Sequence, residues 1–409
     1  MPPPHERHDT TDHDVGSPTN PMAFLGQDFQ KLLHKSLSRN KLYIDELFPP
    51  NNSSIGTLDK EADLDYNNIV WKRPSFWRFG KWIDVVVDDL LPTIDGDLIF
   101  VGSKTSNEFW PTLLEKAYAK VCGSYGDLDG GFISEALMDF TGGVHMEFML
   151  NKAPAHLWNI MDRAAKSQTL MGCGTYQGES REAVSSSGIV GGHAYTVTGV
   201  CKVMSKGNPV HLVRVLNPWG DTEWNKDWSD KMSMEDFTRN FESLDICCLC
   251  PDFLDRSSGC HWKSQRNFGK WIAGTTAGGS LDNIGTFWKN PQFRVRIEEL
   301  SEDCTHEEGA ENVLVSLMQN HEKRNRSSQE NYKIGLYIFK MRGESGKFSA
   351  KFFSDKTPVV VKAFEDLREV MEFFWLEPGE YLIVPCTENP GETASFVLSI
   401  FSKHETHFE

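Results

Sequence analysis

The chain has 409 residues, 39% of them hydrophobic and 24% charged, which is enough for two or more ordinary cores but includes no unbroken apolar run long enough to cross a membrane. A formal net charge of −16 argues against nonspecific binding to nucleic acid or to anionic lipid. Nine cysteines at uneven spacing do not suit a secreted disulfide scaffold of this length; they read as free thiols in a reducing, cytoplasmic setting.

Residues 1–22 are polar and rich in Pro, His and Asp. They lack the basic-then-apolar order of a secretory leader and read as a disordered tail. Residues 23–70 lead into a mixed α/β region that extends to about Pro251. In it, Trp82–Val87 (WIDVVV) predicts a mostly buried strand, ended by Asp88-Asp89 and Pro92. Phe109, Trp110, Leu113, Leu114, Ala117, Tyr118 and Val121 recur at helical spacing and predict a helix with one apolar stripe. Asn107 suits its N-cap, Pro111 falls in its first turn, and Gly123 is a natural stop.

Two strands follow, Ala194–Val200 and His211–Leu216, around the turn-forming run Ser205–Asn208. Closed as a hairpin, with a slip of a residue or two allowed, they bring His193 opposite Asn217 at the open end. Cys247, Cys248 and Cys250 cluster without a second pair at zinc-site spacing, so they read as buried or incidental thiols. From His261 to Ser402 the β-prone runs Phe293–Ile297, Ile334–Phe339, Pro358–Ala363, Tyr381–Pro385 and Phe396–Phe401 predict an antiparallel sandwich. The acidic run Glu298–Glu311 is either a solvated loop or a surface for cations or a basic partner.

The chemistry centres on Gly192-His193-Ala194-Tyr195 and Asn217-Pro218-Trp219-Gly220. A papain-type cysteine protease needs a thiolate to attack the carbonyl, an imidazole to take and return the proton, and an amide oxygen to orient that imidazole. His193 and Asn217 suit the second and third roles, and Trp219 is placed to shield their hydrogen bond from water. The plainer alternative is a satisfied structural histidine beside an ordinary Asn-Pro turn.

GHAYTVTG and LNPWG resemble the histidine and asparagine signatures of the calpain family. The resemblance continues through Trp71–Pro74 (WKRP), Asp84–Pro92 (DVVVDDLLP), Asn107–Lys120 (NEFWPTLLEKAYAK) and Asp139–Val144 (DFTGGV). Further on, GTTAGG from Gly274, TFWKNPQF from Thr286 and PGEY from Pro378 resemble the calpain β-sandwich domain. The resemblance implies an α+β fold: an incomplete papain-like protease core over 71–251, then an antiparallel, C2-like β-sandwich over 261–402 and a tail at 403–409. It also implies calcium as cofactor and limited proteolysis of intracellular proteins.

The chain departs from the family pattern at the nucleophile. Calpains carry the cysteine in a Q-x-x-x-x-G-D-C-W-type stretch that opens a helix soon after WKRP. Here Pro74 runs directly into Ser75-Phe76-Trp77-Arg78, which resembles sequence well beyond that helix. Papain-like enzymes place the nucleophile ~130–150 residues before the histidine, yet the first cysteine here is Cys122. Cys122 ends a predicted helix, where the dipole disfavours a thiolate, and Cys173 reads as a strand-end residue.

A second gap follows Asp230, where calpains have an acidic stretch that helps bind calcium. By resemblance, Glu223 and Asp230 are remnants of one calcium site and Glu108 of the other. Calcium takes about six to eight oxygens, so such remnants should bind it weakly at best. No EF-hand pattern occurs. The gaps read as skipped blocks, from a splice variant or an incomplete gene model. Three expectations stand together: an inactive calpain-type protease, a non-catalytic relative that binds proteins or phospholipid through its sandwich, or a form whose truncated core folds poorly.

Overall fold

The computed structural model describes residues 22–39, 41, 43–55, 76–78, 83–105, 108–177, 182–228, 230–254, 260–300, 311–320, 330–344 and 346–408. Most of the tail, the WKRP block, Asn107 and residues 301–310 of the acidic run lie outside them. The chain divides into two compact units. The first comprises 1–132, 138–142 and 323–329; the second comprises 133–137, 143–322 and 330–409.

In the first unit Ile83–Val85 is the middle strand of a small sheet, between Met22–Ala23 and Phe76–Arg78. The predicted helix is present as α1 (Trp110–Cys122), with Pro111 in its first turn. Gly123 ends it at φ +127°, its N–H donating to the Ala119 carbonyl at 2.8 Å. The expected apolar stripe is only half right, because Phe109 and Trp110 are exposed. The buried face instead carries two lysines, Lys116 and Lys120. Lys116 Nζ donates to Asp88 Oδ1 at 2.6 Å, and Lys120 Nζ to Gln27 Oε1, Asp45 and the Val86 carbonyl. Lysines are buried only when their charge is paired and their protons are used, and both conditions hold here.

The second unit opens with a six-stranded sheet: β1 (Val144–Met149), β2 (Leu170–Thr175), β3 (Ala194–Ser205), β4 (Asn208–Leu216), β5 (Met232–Ser233) and β6 (Phe241–Cys248). Their order is β5-β4-β3-β2-β6-β1. The β3–β4 hairpin is longer than its sequence suggests. Lys206 and Gly207, at φ +49° and +80°, form a two-residue turn whose twist matches the strands. Ser205 therefore faces Asn208, and beyond a bulge at Thr198 Thr196 lies opposite Leu216, a register within the slip the sequence allowed. Helix α2 (Leu157–Lys166) buries Leu157, Ile160, Met161 and Ala164 in the core of this sheet.

The sandwich consists of β7 (Lys263–Trp271), β8 (Phe293–Leu300), β9 (Val313–Asn320), β10 (Ile334–Lys340), β11 (Val360–Glu365), β12 (Glu369–Phe374), β13 (Gly379–Thr387), β14 (Ala394–Ser402) and β15 (His404–Phe408). One sheet has the order β7-β14-β9-β12, the other β11-β10-β13-β8-β15. The expected tail at 403–409 needs correction, since His404–Phe408 pairs with β8 and satisfies its open edge. The cysteines also depart in part from the sequence reading. Seven described ones are outside any disulfide, Cys247 and Cys248 are buried as expected, and Cys260 is disulfide-bonded.

Leu314 and Phe401 of the sandwich join the same apolar cluster as Val144, Leu244 and Ile246 of the six-stranded sheet. A polar group lies beside this junction. His145 Nε2 meets Asp245 Oδ1 at 2.7 Å, and Ser316 Oγ donates to Glu369. Burial opposes charge on His145, but Asp245, Glu369 and Glu147 outweigh it and raise the imidazole pKa. Burial raises the Glu369 carboxyl as well. Both shifts have the same sign for stability. The His145 contribution is complete below the ordinary value of 6.5 and is lost as pH rises through the raised one, and Glu369 likewise favours the folded state when protonated. The thermal midpoint is therefore expected to fall as the pH rises above the ordinary imidazole value of 6.5. His145→Gln should flatten that slope; a slope identical in the variant would contradict the assignment.

Candidate active site

His193 and Asn217 meet at the open end of the β3–β4 hairpin. His193 Nε2 lies 2.9 Å from Asn217 Oδ1. The amide orientation is fixed by its other bonds: Asn217 Nδ2 donates to the Thr222 carbonyl at 3.2 Å, so Oδ1 is the atom turned to the imidazole. That oxygen also accepts from Trp219 N at 3.1 Å. An acceptor opposite Nε2 favours the tautomer with the proton on Nε2, leaving Nδ1 as the basic nitrogen. Among the described residues Nδ1 has no hydrogen-bond partner.

Three aromatic contacts shape the pair. The Trp219 ring lies 4.5 Å from the imidazole, tilted by 45°, and remains 44% exposed, so it covers one side only. The Tyr195 and His193 rings meet in an edge-to-face arrangement at 5.3 Å, and Phe241 meets Tyr195 in the same arrangement at 5.3 Å. The Tyr195 hydroxyl accepts from Val190 N at 2.9 Å, tying the hairpin base to the Ser185–Val190 turn. Burial raises the pKa of this phenol, so it stays protonated near neutral pH.

Sequence reasoning missed Thr175. Its Oγ1 accepts from His193 N at 2.9 Å and donates to the Val190 carbonyl at 2.7 Å, and its own N–H donates to the His193 carbonyl at 3.0 Å. Thr175 ends β2, the strand beside β3, so the histidine main chain is held from the neighbouring strand. The only sequence signal was a threonine at the close of an apolar run.

Neither upstream cysteine fits the thiolate role. Cys122 is buried at the end of α1. Cys173 is fully buried in β2, where burial, with the Asp245 charge adding to it, raises its pKa well above the ordinary thiol value.

The expected calcium carboxylates are committed elsewhere. Both Glu223 oxygens accept from Asn217 N, at 3.1 and 3.2 Å. Asp230 pairs with Lys231 at 2.7 Å and Arg214 at 3.1 Å, and its pKa is lowered first by the Lys231 hydrogen bond. Glu108 is exposed, takes a bond from Ser103 Oγ at 3.1 Å, and belongs to the other compact unit. Among the described residues no group of three or more His, Cys, Asp or Glu could hold a metal ion. A cation that takes about six to eight oxygens does not fit this set.

Comparison with known proteins accords with the site. Residues 75–234 match the family model described as calpain family cysteine protease, and 267–401 match that for calpain large subunit, domain III. The mouse calpain-1 catalytic subunit is 34% identical over 489 aligned residues, covering 95% of this chain and 68% of the relative. The human calpain-1 catalytic subunit gives the same identity and coverage. The bovine calpain-2 catalytic subunit is 39% identical over 387 residues, covering 86% of this chain and 55% of the relative.

Proposed function

This chain belongs to the calpain family of cysteine proteases, and on that premise we propose that it is a calpain-type scaffold that keeps the imidazole–amide half of the catalytic machinery but does not cleave peptide bonds. The observation that carries this reading is the oriented His193–Asn217 pair with Nδ1 turned to no thiol among the described residues. An imidazole cannot perform acyl transfer alone: with no thiolate there is no nucleophile for it to activate and no acyl-enzyme to resolve. The alignment with calpain-1, longer than the chain itself, supports the reading of skipped internal blocks.

Without chemistry, binding is the remaining role. The chain would hold intracellular proteins at the remnant cleft or on the sandwich, and the C2-like sandwich is the candidate contact for phospholipid. No helix among the described residues is long and apolar enough to cross a membrane. We place this activity in the cytoplasm and take calcium as the family's cofactor rather than as a fitted ligand of this form.

A peptidase assay on the purified chain, with and without calcium, tests the proposal alongside labelling by a thiol-directed peptide electrophile. The expected outcome is cleavage at the buffer rate and no labelling at the site. Calcium-dependent cleavage abolished by His193→Ala would overturn it.

A further inference from the structure

Glu223, which the family resemblance assigns to a calcium site, lies beside the end of β4. β4 stops pairing at Leu216, whose partner is Thr196, so the next main-chain donor, Asn217 N–H, has no strand to bond. Asn217 is only 3% exposed, and solvent cannot replace the missing partner. Glu223 does so, with both carboxylate oxygens turned to that one N–H. A charged acceptor makes this a strong bond, and it fixes the residue whose Oδ1 orients His193.

Glu223 is itself held by main chain. Its carbonyl packs so closely on Gly188, at φ +82°, that a Cβ there would lie 2.2 Å from the oxygen. Two residues on, Asn225 N donates to the Ser187 carbonyl at 3.0 Å. The loop after Asn217 is thereby fastened to the Ser185–Val190 turn, which Tyr195 and Thr175 fasten to His193. The ring of attachments closes without an ion. Asp230 already has two cationic partners, which oppose the approach of a third cation.

We propose that Glu223 is a positioning residue that holds the Asn217–His193 pair through the Asn217 main chain, so that this chain organises its imidazole–amide pair without calcium. The inference rests on reading His193 and Asn217 as that pair, and is independent of whether any thiol is present.

Calcium is titrated into the full chain while terbium luminescence, sensitised by the nearby Trp224, and the thermal midpoint are followed. The expected result is no saturable terbium signal and no shift in midpoint. Amide exchange at Asn217 and the nitrogen-NMR tautomer signature of His193 are then read in variants. Glu223→Ala should speed Asn217 exchange by about tenfold or more and mix the imidazole tautomers. Glu223→Gln, which keeps an acceptor oxygen, should restore both. A terbium signal that calcium displaces and Glu223→Gln removes would overturn the proposal, as would unchanged Asn217 exchange in Glu223→Ala. Should the alanine variant not fold, the titration on the unsubstituted chain still decides, and the peptidase assay reports separately on the thiol.

Discussion

Lys120→Met is expected to destabilise the first compact unit strongly while the second still melts cooperatively. Lys120 is fully buried, and its ammonium is shared by Gln27, Asp45 and the Val86 carbonyl. Asp45 is equally buried and also takes bonds from Gln27 Nε2 at 2.8 Å, Tyr43 Oη at 3.2 Å and Leu47 N at 3.2 Å. Methionine fills the volume but leaves that carboxylate without its counter-charge. Breaking a buried pair from one side costs about 3–5 kcal/mol, a large part of the ~5–15 kcal/mol that holds a domain together. Removing both charges, as Lys120→Met with Asp45→Asn, should recover much of the loss, because desolvation of the ions disappears with their attraction. Urea titration of the single and double variants measures this. A single variant within about 1 kcal/mol of the parent would show that the pair does not hold the unit. The same titration bears on the sequence-based expectation that a truncated core folds poorly.

That network was hidden in the sequence for a physical reason. Lysines at helical spacing read as a solvated face, and their partners lie far off in the chain: Gln27 is 93 residues from Lys120 and Asp45 is 75. The His193–Asn217 contact was legible because a hairpin is local and its turn residues carry their own signal. Near the site the register, with Thr196 opposite Leu216, stays within the slip of a residue or two that the sequence left open. Thr175 acts through main-chain bonds from a neighbouring strand, which no residue pattern encodes. In the sandwich β8, β10, β11, β13 and β14 were anticipated; β9, β12 and β15 were not, nor was β7 (KSQRNFGKW). Most of its residues are exposed, so it lacks the apolar periodicity that marks a strand. The calcium remnants were located by resemblance alone, and in the structure Glu223 bonds to Asn217 N and Asp230 to Lys231.

Phe241→Ala is the corresponding break in the second unit. Phe241 is fully buried between Phe237, stacked at 5.1 Å, and Tyr195, edge-on at 5.3 Å. Tyr195 in turn supports the His193 ring. Deleting a buried phenyl forfeits its transfer energy and leaves a cavity, about 3–5 kcal/mol together. The void opens directly under Tyr195, so that ring can drop and draw its hydroxyl from Val190 N. His193 then loses support from below, while Trp219, which is 44% exposed, cannot replace it. The variant is expected to lower the unfolding free energy from urea titration by that amount and to broaden the His193 ring-proton signals. Phe241→Leu, which keeps more of the volume, should cost less and leave those signals sharper. Trp219→Ala should change stability little, because half-exposed surface contributes little burial, yet it should open the His193–Asn217 bond to water. If Phe241→Ala cost no more than Trp219→Ala, the aromatic column would be a by-product of packing rather than the support of the imidazole.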